Sequence, residues 1–173
     1  DYYNQLLPRL APLQIDRGGN VIMVQIENEY VSFGNDKEYL SALANMLKDG
    51  GITVPLFTSD GWEASMLTGG TLEGVLKTVN FGSRTKEAFK VLKDFDPLSP
   101  PFCCEFWCGW FDHFGEAHHT RSENEVESEI KDLLNYGAGF NVYMFHGGTN
   151  FGFTAGANHF GTYMPTVTSY DDD

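Results

Sequence analysis

The chain has 173 residues, 42% of them hydrophobic, and carries 24 Asp and Glu against 11 Lys and Arg, for a formal net charge of −13. That acidic excess argues against nucleic acid, because a phosphate backbone needs clustered Lys and Arg, and favours a neutral or cationic small substrate. No apolar run approaches the ~18 residues of a membrane span, so none is expected.

In chain order, a helix ending near Leu13 is followed by Val21-Ile22-Met23-Val24-Gln25-Ile26, which reads as a buried strand over about 21–27. It runs into Glu27-Asn28-Glu29-Tyr30, two carboxylates with an amide between them where the strand should surface. Asn35-Asp36-Lys37-Glu38 offers an N-cap with a following Glu, and Tyr39, Leu40, Leu43 and Leu47 share one face of the helix behind it. Gly50-Gly51 stops that helix, and residues 52–58 read as the next strand. A short strand over 75–79, a helix over 85–95 and a strand over 102–106 come next. Ser122-Glu123-Asn124-Glu125 is a capping box, with Val126, Ile130, Leu133 and Leu134 as the apolar stripe behind it. A strand over 138–145 closes the series.

Such strand–helix alternation implies parallel strands with right-handed crossovers. A doubly wound nucleotide-binding sheet should show a Gly-rich phosphate turn, and none occurs; Gly147-Gly148-Thr149-Asn150-Phe151-Gly152 lacks the lysine. A (β/α)8 barrel instead places chemistry at the carboxyl ends of its strands, where Glu29, Glu105 and the His146 loop fall. Roughly five strands are counted where a barrel needs eight. The expected fold is therefore α/β, about strands four to eight of a TIM barrel, with residues 1–173 as one incomplete catalytic domain. With no methionine at its start, the chain reads as a fragment lacking the N-terminal barrel strands. An open sheet edge should leave the isolated chain poorly stable or self-associating and weakly active.

Six of the thirteen residues from Phe102 to Phe114 are aromatic, against 14% for the chain, and Glu105 sits among them at a strand end. A lone glutamate is commonly a salt-bridge or capping residue, and an aromatic cluster is commonly core. Two strand-end glutamates beside flat rings are instead the equipment for glycoside cleavage: one carboxyl protonates the leaving oxygen, the other attacks, and rings stack on the sugar. The five histidines (113, 118, 119, 146, 159) lack zincin spacing, so no metal is expected. Cys103, Cys104 and Cys108 match no zinc pattern and read as core thiols or as one disulfide with a spare thiol. With no Asn-x-Ser/Thr acceptor present, they lean toward a reducing or bacterial setting, cytoplasm or periplasm, without assigning a location.

The runs Glu27-Asn28-Glu29-Tyr30, Glu105-Phe106-Trp107-x-Gly109-Trp110-Phe111-Asp112-His113, residues 143–152 and Thr168-Ser169-Tyr170-Asp171 resemble the β-galactosidases of glycoside hydrolase family 35. The resemblance covers essentially the whole chain in the family's order. It implies retaining hydrolysis of terminal β-D-galactosyl residues from an oligosaccharide or glycoconjugate, without a cofactor. By that resemblance Glu29 matches the acid/base and Glu105 the nucleophile, while Glu27 and Asn28 match residues that hold sugar hydroxyls. Trp107, Trp110 and Tyr143 match positions lining the pocket. In an extended strand Glu27 and Glu29 would share a face, and retaining chemistry wants the acid/base and nucleophile about 5–5.5 Å apart. The chain departs from the family at Val31, where glycine is usual and a positive φ would be strained, and at Asp172, where tyrosine is usual. A related β-glucosaminidase or β-glucosidase and a non-catalytic carbohydrate-binding remnant are the alternatives.

Overall fold

A computed structural model describes residues 1–151, 154 and 156–171; Gly152 of the glycine-rich run and the departure at Asp172 lie outside them. Strands β1 (Val24–Gln25), β2 (Leu56–Gly61), β3 (Leu76–Phe81), β4 (Phe102–Phe106) and β5 (Gly139–Val142) form one sheet in the order β1-β2-β3-β4-β5. Helices α2 (Lys37–Asp49), α3 (Ala64–Gly70), α4 (Thr85–Phe95) and α5 (Glu123–Tyr136) separate successive strands. Neighbouring strands joined through a helical crossover run parallel, as the pairing of Val24 with Leu56 and of Gln25 with Phe57 shows directly. The α/β class and the parallel sheet are thus as expected from the alternating pattern. The chain divides into two compact units, residues 1–79 with 88–102, and residues 80–87 with 103–173.

In the first unit, α1 (Tyr2–Leu10) runs into a 3-10 turn over Ala11–Leu13, ending where the sequence suggests. Leu7, Ile26, Leu40, Ala44, Leu47, Ile52, Val54 and Leu56 form its buried core. Gln14, wholly buried, ties the segments together: its Nε2 donates to the carbonyls of Ala11 (2.8 Å) and Gly51 (2.9 Å), and its Oε1 accepts from the amides of Thr53 (2.6 Å) and Val54 (3.1 Å). Those bonds hold residues 52–54 out of the ladder, so β2 begins four residues later than hydropathy suggests. Its polar Thr58, Ser59 and Asp60 are buried together with Leu56 and Phe57.

Helix α2 is capped by Asp36 rather than Asn35. The Asp36 carboxylate accepts from the amides of Glu38 (2.9 Å) and Tyr39 (3.1 Å), two of the donors that a helix start leaves unpaired. Asp36→Ala should cost about 1 kcal/mol in urea denaturation; an unchanged midpoint would show the cap to be idle. Helix α3 has no sequence signature, and its terminal Gly69-Gly70 pair does more than stop it. A Cβ on Gly69 would lie 2.1 Å from Val31 Cγ2, and one on Gly70 would lie 1.7 Å from Asp60 Oδ1. The two glycines therefore receive neighbouring side chains.

In the second unit, Ser122 caps α5 as its motif requires, accepting from the Glu125 amide at 3.3 Å, and left-handed Gly137 closes the helix. Strand β5 is shorter than the 138–145 expected, because the chain turns after Val142. An antiparallel hairpin of β6 (Ala157–His159) and β7 (Tyr163–Pro165) follows, which hydropathy does not foretell.

Candidate functional site

The end of β1 is where the sequence poses its question, and its geometry corrects the extended strand inferred above. Val24 N–H bonds Pro55 O, Ile26 N–H bonds Phe57 O and Glu29 N–H bonds Ser59 O. Two residues match two in the first interval, but three match two in the second. The strand therefore carries one extra residue at Glu27-Asn28, a β-bulge. Glu27 (φ 57°) and Glu29 (φ 49°) both take left-handed backbone, uncommon for residues with a side chain. The two carboxylates consequently do not share the face of a regular strand. Backbone held in this region costs of order 1–3 kcal/mol and concentrates at functional sites.

The bulge is braced from α2. Tyr39 Oη donates to Glu27 Oε1, and Glu27 Oε2 accepts from the Asn28 amide at 3.1 Å. Gln25 Nε2 bonds both the Glu27 carbonyl (2.7 Å) and Asn28 Oδ1 (3.0 Å). The Glu27 carboxylate holds the Tyr39 phenol protonated and pushes its pKa to about 12. Asn28 is exposed and Glu29 half-buried. The strain expected at Val31 is absent: this residue lies in a right-handed 3-10 turn, Tyr30–Ser32, with its side chain against Gly69. The positive φ falls on Glu29, two residues earlier.

Behind this turn sits Asp60, which the sequence reading did not single out. It is 1% exposed, and neither oxygen has a well-formed hydrogen bond. Burial raises its pKa from 3.8 to about 6; the charge of Glu29 pushes the same way, while the Val31 amide and Lys37 pull it down. A carboxyl whose pKa rises on folding favours the folded state while protonated. The stability drawn from it is therefore full below pH 3.8 and lost as pH climbs through about 6, on the order of 3 kcal/mol in all.

In the second unit, Glu105 occupies β4 next to its end. Its amide bonds Oδ1 of fully buried Asn80 (3.1 Å), and its Oε2 accepts the Trp107 indole N–H at 3.1 Å. Trp107 is fixed in turn by its amide on Phe81 O (3.2 Å) and by Arg121, which donates to its carbonyl at 2.6 Å. The Trp107 and Trp110 rings meet edge to face at 5.7 Å, Trp110 stacks on Phe111 at 5.2 Å, and Phe111 stacks on Tyr170 at 5.5 Å. Tyr143, placed by its amide on Phe106 O, brings its hydroxyl to 3.5 Å from that of Tyr170. Of the candidate residues, Glu105, Trp107 and Trp110 thus form one connected surface here, with Tyr143 reaching it through Tyr170. In the first unit Glu27, Asn28 and Glu29 form another. Asn80 and Tyr170 are additions that only the fold supplies.

The histidines are largely occupied. Asp112 accepts from both His118 (2.5 Å) and His119 (2.7 Å), which hold its carboxyl well below the usual range. His113 bonds Asn158 and Glu116, each at 2.7 Å, and both contacts favour its protonated form. Asp171 accepts from the amides of Gly147 (2.9 Å) and Gly148 (3.3 Å), which keep it charged, and lies 3.6 Å from His146. All three cysteines are free thiols, and burial pushes Cys103 up to about 12.

The profile described as Glycosyl hydrolases family 35 matches residues 1–173, the whole of this sequence.

The chain belongs to that family. Among curated relatives it is 45% identical over 172 residues to human "Beta-galactosidase-1-like protein 3", covering 99% of this chain and 26% of the relative. It is 43% identical over 172 residues to "Beta-galactosidase" of Bos taurus, covering 97% of this chain and 26% of the relative. The chain therefore spans about a quarter of the length of these relatives. No helix among its described residues is long and apolar enough to cross a membrane.

Proposed function

We propose that this chain is catalytic barrel sequence, about strands four to eight, of a retaining exo-β-galactosidase. It would release terminal β-D-galactose from oligosaccharides or glycoconjugates without a cofactor. The observation that carries the reading is Glu105: a half-buried strand-end carboxylate oriented by an indole N–H and flanked by a second tryptophan, in a chain of family 35. Glu105 attacks the anomeric carbon and the glycosidic bond breaks, while Glu29 gives its proton to the departing oxygen. Glu29 then takes a proton from water as that water's oxygen replaces Glu105 on the sugar, which returns both carboxyls to their starting states. Asn28 and Glu27 hold sugar hydroxyls, Glu27 from a carboxylate already steadied by Tyr39. Trp107, Trp110 and Tyr143 line the sugar's apolar face.

The test is hydrolysis of aryl β-D-galactosides beside the corresponding glucosaminides and glucosides. The chain is assayed alone and grafted in place of the matching segment of the bovine relative. Galactoside turnover inhibited by free galactose, and not by free glucosamine, is expected. A graft that folds and cleaves only another β-glycoside would overturn the sugar assignment. One that binds sugar and cleaves nothing would favour a carbohydrate-binding remnant.

A further inference from the structure

Arg121 has no part in the mechanism above and lies outside every motif that the sequence singles out. It is half-buried, one residue before the Ser122 cap of α5. Its Nη1 donates to the carbonyl of Trp107 at 2.6 Å, a short, charge-assisted bond of the stronger kind. Its guanidinium also lies over the ring of fully buried Phe106, 5.8 Å from the centroid, a second contact that fixes where the planar group sits. Gly82, the residue after β3, leaves room for the pair: a Cβ there would lie 2.7 Å from the Trp107 carbonyl oxygen and 3.2 Å from Arg121 Nη1. Trp107 is thereby held at both ends of its backbone, its amide on Phe81 O at 3.2 Å and its carbonyl on Arg121. With both ends held, the direction of its Cα–Cβ bond is set. Only the side-chain torsions remain to bring the indole N–H to Glu105 Oε2 at 3.1 Å.

We propose that Arg121 is a positioning residue for the reaction: it aims the Trp107 indole at the carboxylate of Glu105 and so sets the orientation in which that carboxylate attacks. The inference deepens the reading above and rests on Glu105 being the nucleophile. A carboxylate bonded through Oε2 to a fixed donor turns less freely about its last torsion than one that is not. Orientation of this kind matters to rate, because a misplacement of ~1 Å can cost ~10²-fold. The donor is fixed only as well as the residue that carries it, and Arg121 supplies one of the two backbone bonds that hold Trp107. Lysine is not equivalent here, since it offers a point charge without a planar face to lay over Phe106.

Two measurements test this, the first independent of turnover. In the chain labelled with nitrogen-15 at its three tryptophans, Trp107→Phe identifies the Trp107 indole signal. Arg121→Met, which keeps an unbranched apolar stem, should move that signal upfield and speed its exchange with solvent by about tenfold or more, as the bond to Glu105 loosens. The signal of Trp62, in the first unit, should stay where it is. In the galactoside assay above, the same variant should lower kcat by about tenfold. Arg121→Lys should recover part of that, because a donor to the carbonyl returns without the planar face. In a Trp107→Phe background Arg121→Met should cost less than about twofold, since its route to Glu105 is gone. A merely structural Arg121 would lower kcat by the same factor in both backgrounds and leave the Trp107 signal in place; either result would overturn the proposal. Should Arg121→Met fail to fold, Gly82→Ala presses on the same contact with the guanidinium kept, and an unmoved Trp107 signal there would overturn it equally. If no glycoside is cleaved at all, the proposed function fails, and the indole signal still decides whether Arg121 sets the Trp107 contact.

Discussion

Glu105→Gln is expected to lower aryl β-galactoside hydrolysis by ~10⁴-fold or more, on the order of 5 kcal/mol of transition-state stabilisation, while leaving the fold in place. An amide of the same shape still offers an oxygen to the Trp107 indole, and the bond from the Glu105 backbone to Asn80 does not involve the side chain. What the amide lacks is the negative oxygen that forms the glycosyl ester. Azide separates the two proposed roles. With Glu105→Gly and an activated aryl galactoside, azide should attack once and give the α-galactosyl azide. With Glu29→Ala the ester still forms, so azide should give the β-product. The Glu29 variant should lose ~10²–10⁴-fold on substrates with poor leaving groups and much less on activated ones. Interchanged products would interchange the roles, and near-normal turnover by Glu105→Gln would remove it from the mechanism.

The second large effect is on stability. Gln14→Leu keeps the volume of a wholly buried side chain but leaves the buried Val54 amide and the part-buried Thr53 amide without an acceptor, and an unpaired buried donor costs about 1–3 kcal/mol. The Ala11 and Gly51 carbonyls also accept from Arg17, at 3.2 and 3.0 Å, so they stay bonded in the single variant. A loss of about 3 kcal/mol in urea denaturation is therefore expected. Arg17→Ala should add little alone, whereas the double variant should lose more than the sum, because the two side chains cover the same carbonyls. Loss below about 1 kcal/mol for Gln14→Leu would mean that water replaces it at no cost.

Legibility in the sequence follows how local each cause is. Helix α4 and strand β4 lie where hydropathy puts them, and the starts of α2 and α5 are set by side chains within three residues of the caps. Strand β2 is displaced because Gln14, about forty positions away, takes the amides that would have opened the ladder. Helix α3 hides because its glycine pair looks like a terminator, when its purpose is to admit Val31 and Asp60. The same limit applies at the candidate site. Residue types placed Glu29 and Glu105 at strand ends, but a one-residue bulge is visible only when the partner strand is counted alongside. Asp60 escaped notice because a polar Thr-Ser-Asp run reads as surface, and only the packing of α3 makes it interior.

The Trp107 contact has an optical consequence. Two of the chain's three tryptophans lie edge to face, and one of them donates its indole N–H directly to the Glu105 carboxylate. An indole's emission responds to a charge that close, and a ring pair 5.7 Å apart couples strongly enough to shape the near-ultraviolet dichroism. Protonation of Glu105, its conversion to an ester, or a sugar settling on the rings would each change the light the protein absorbs and emits. The chain thus contains its own indicator for the state of that carboxyl, readable in a cuvette before any product has formed.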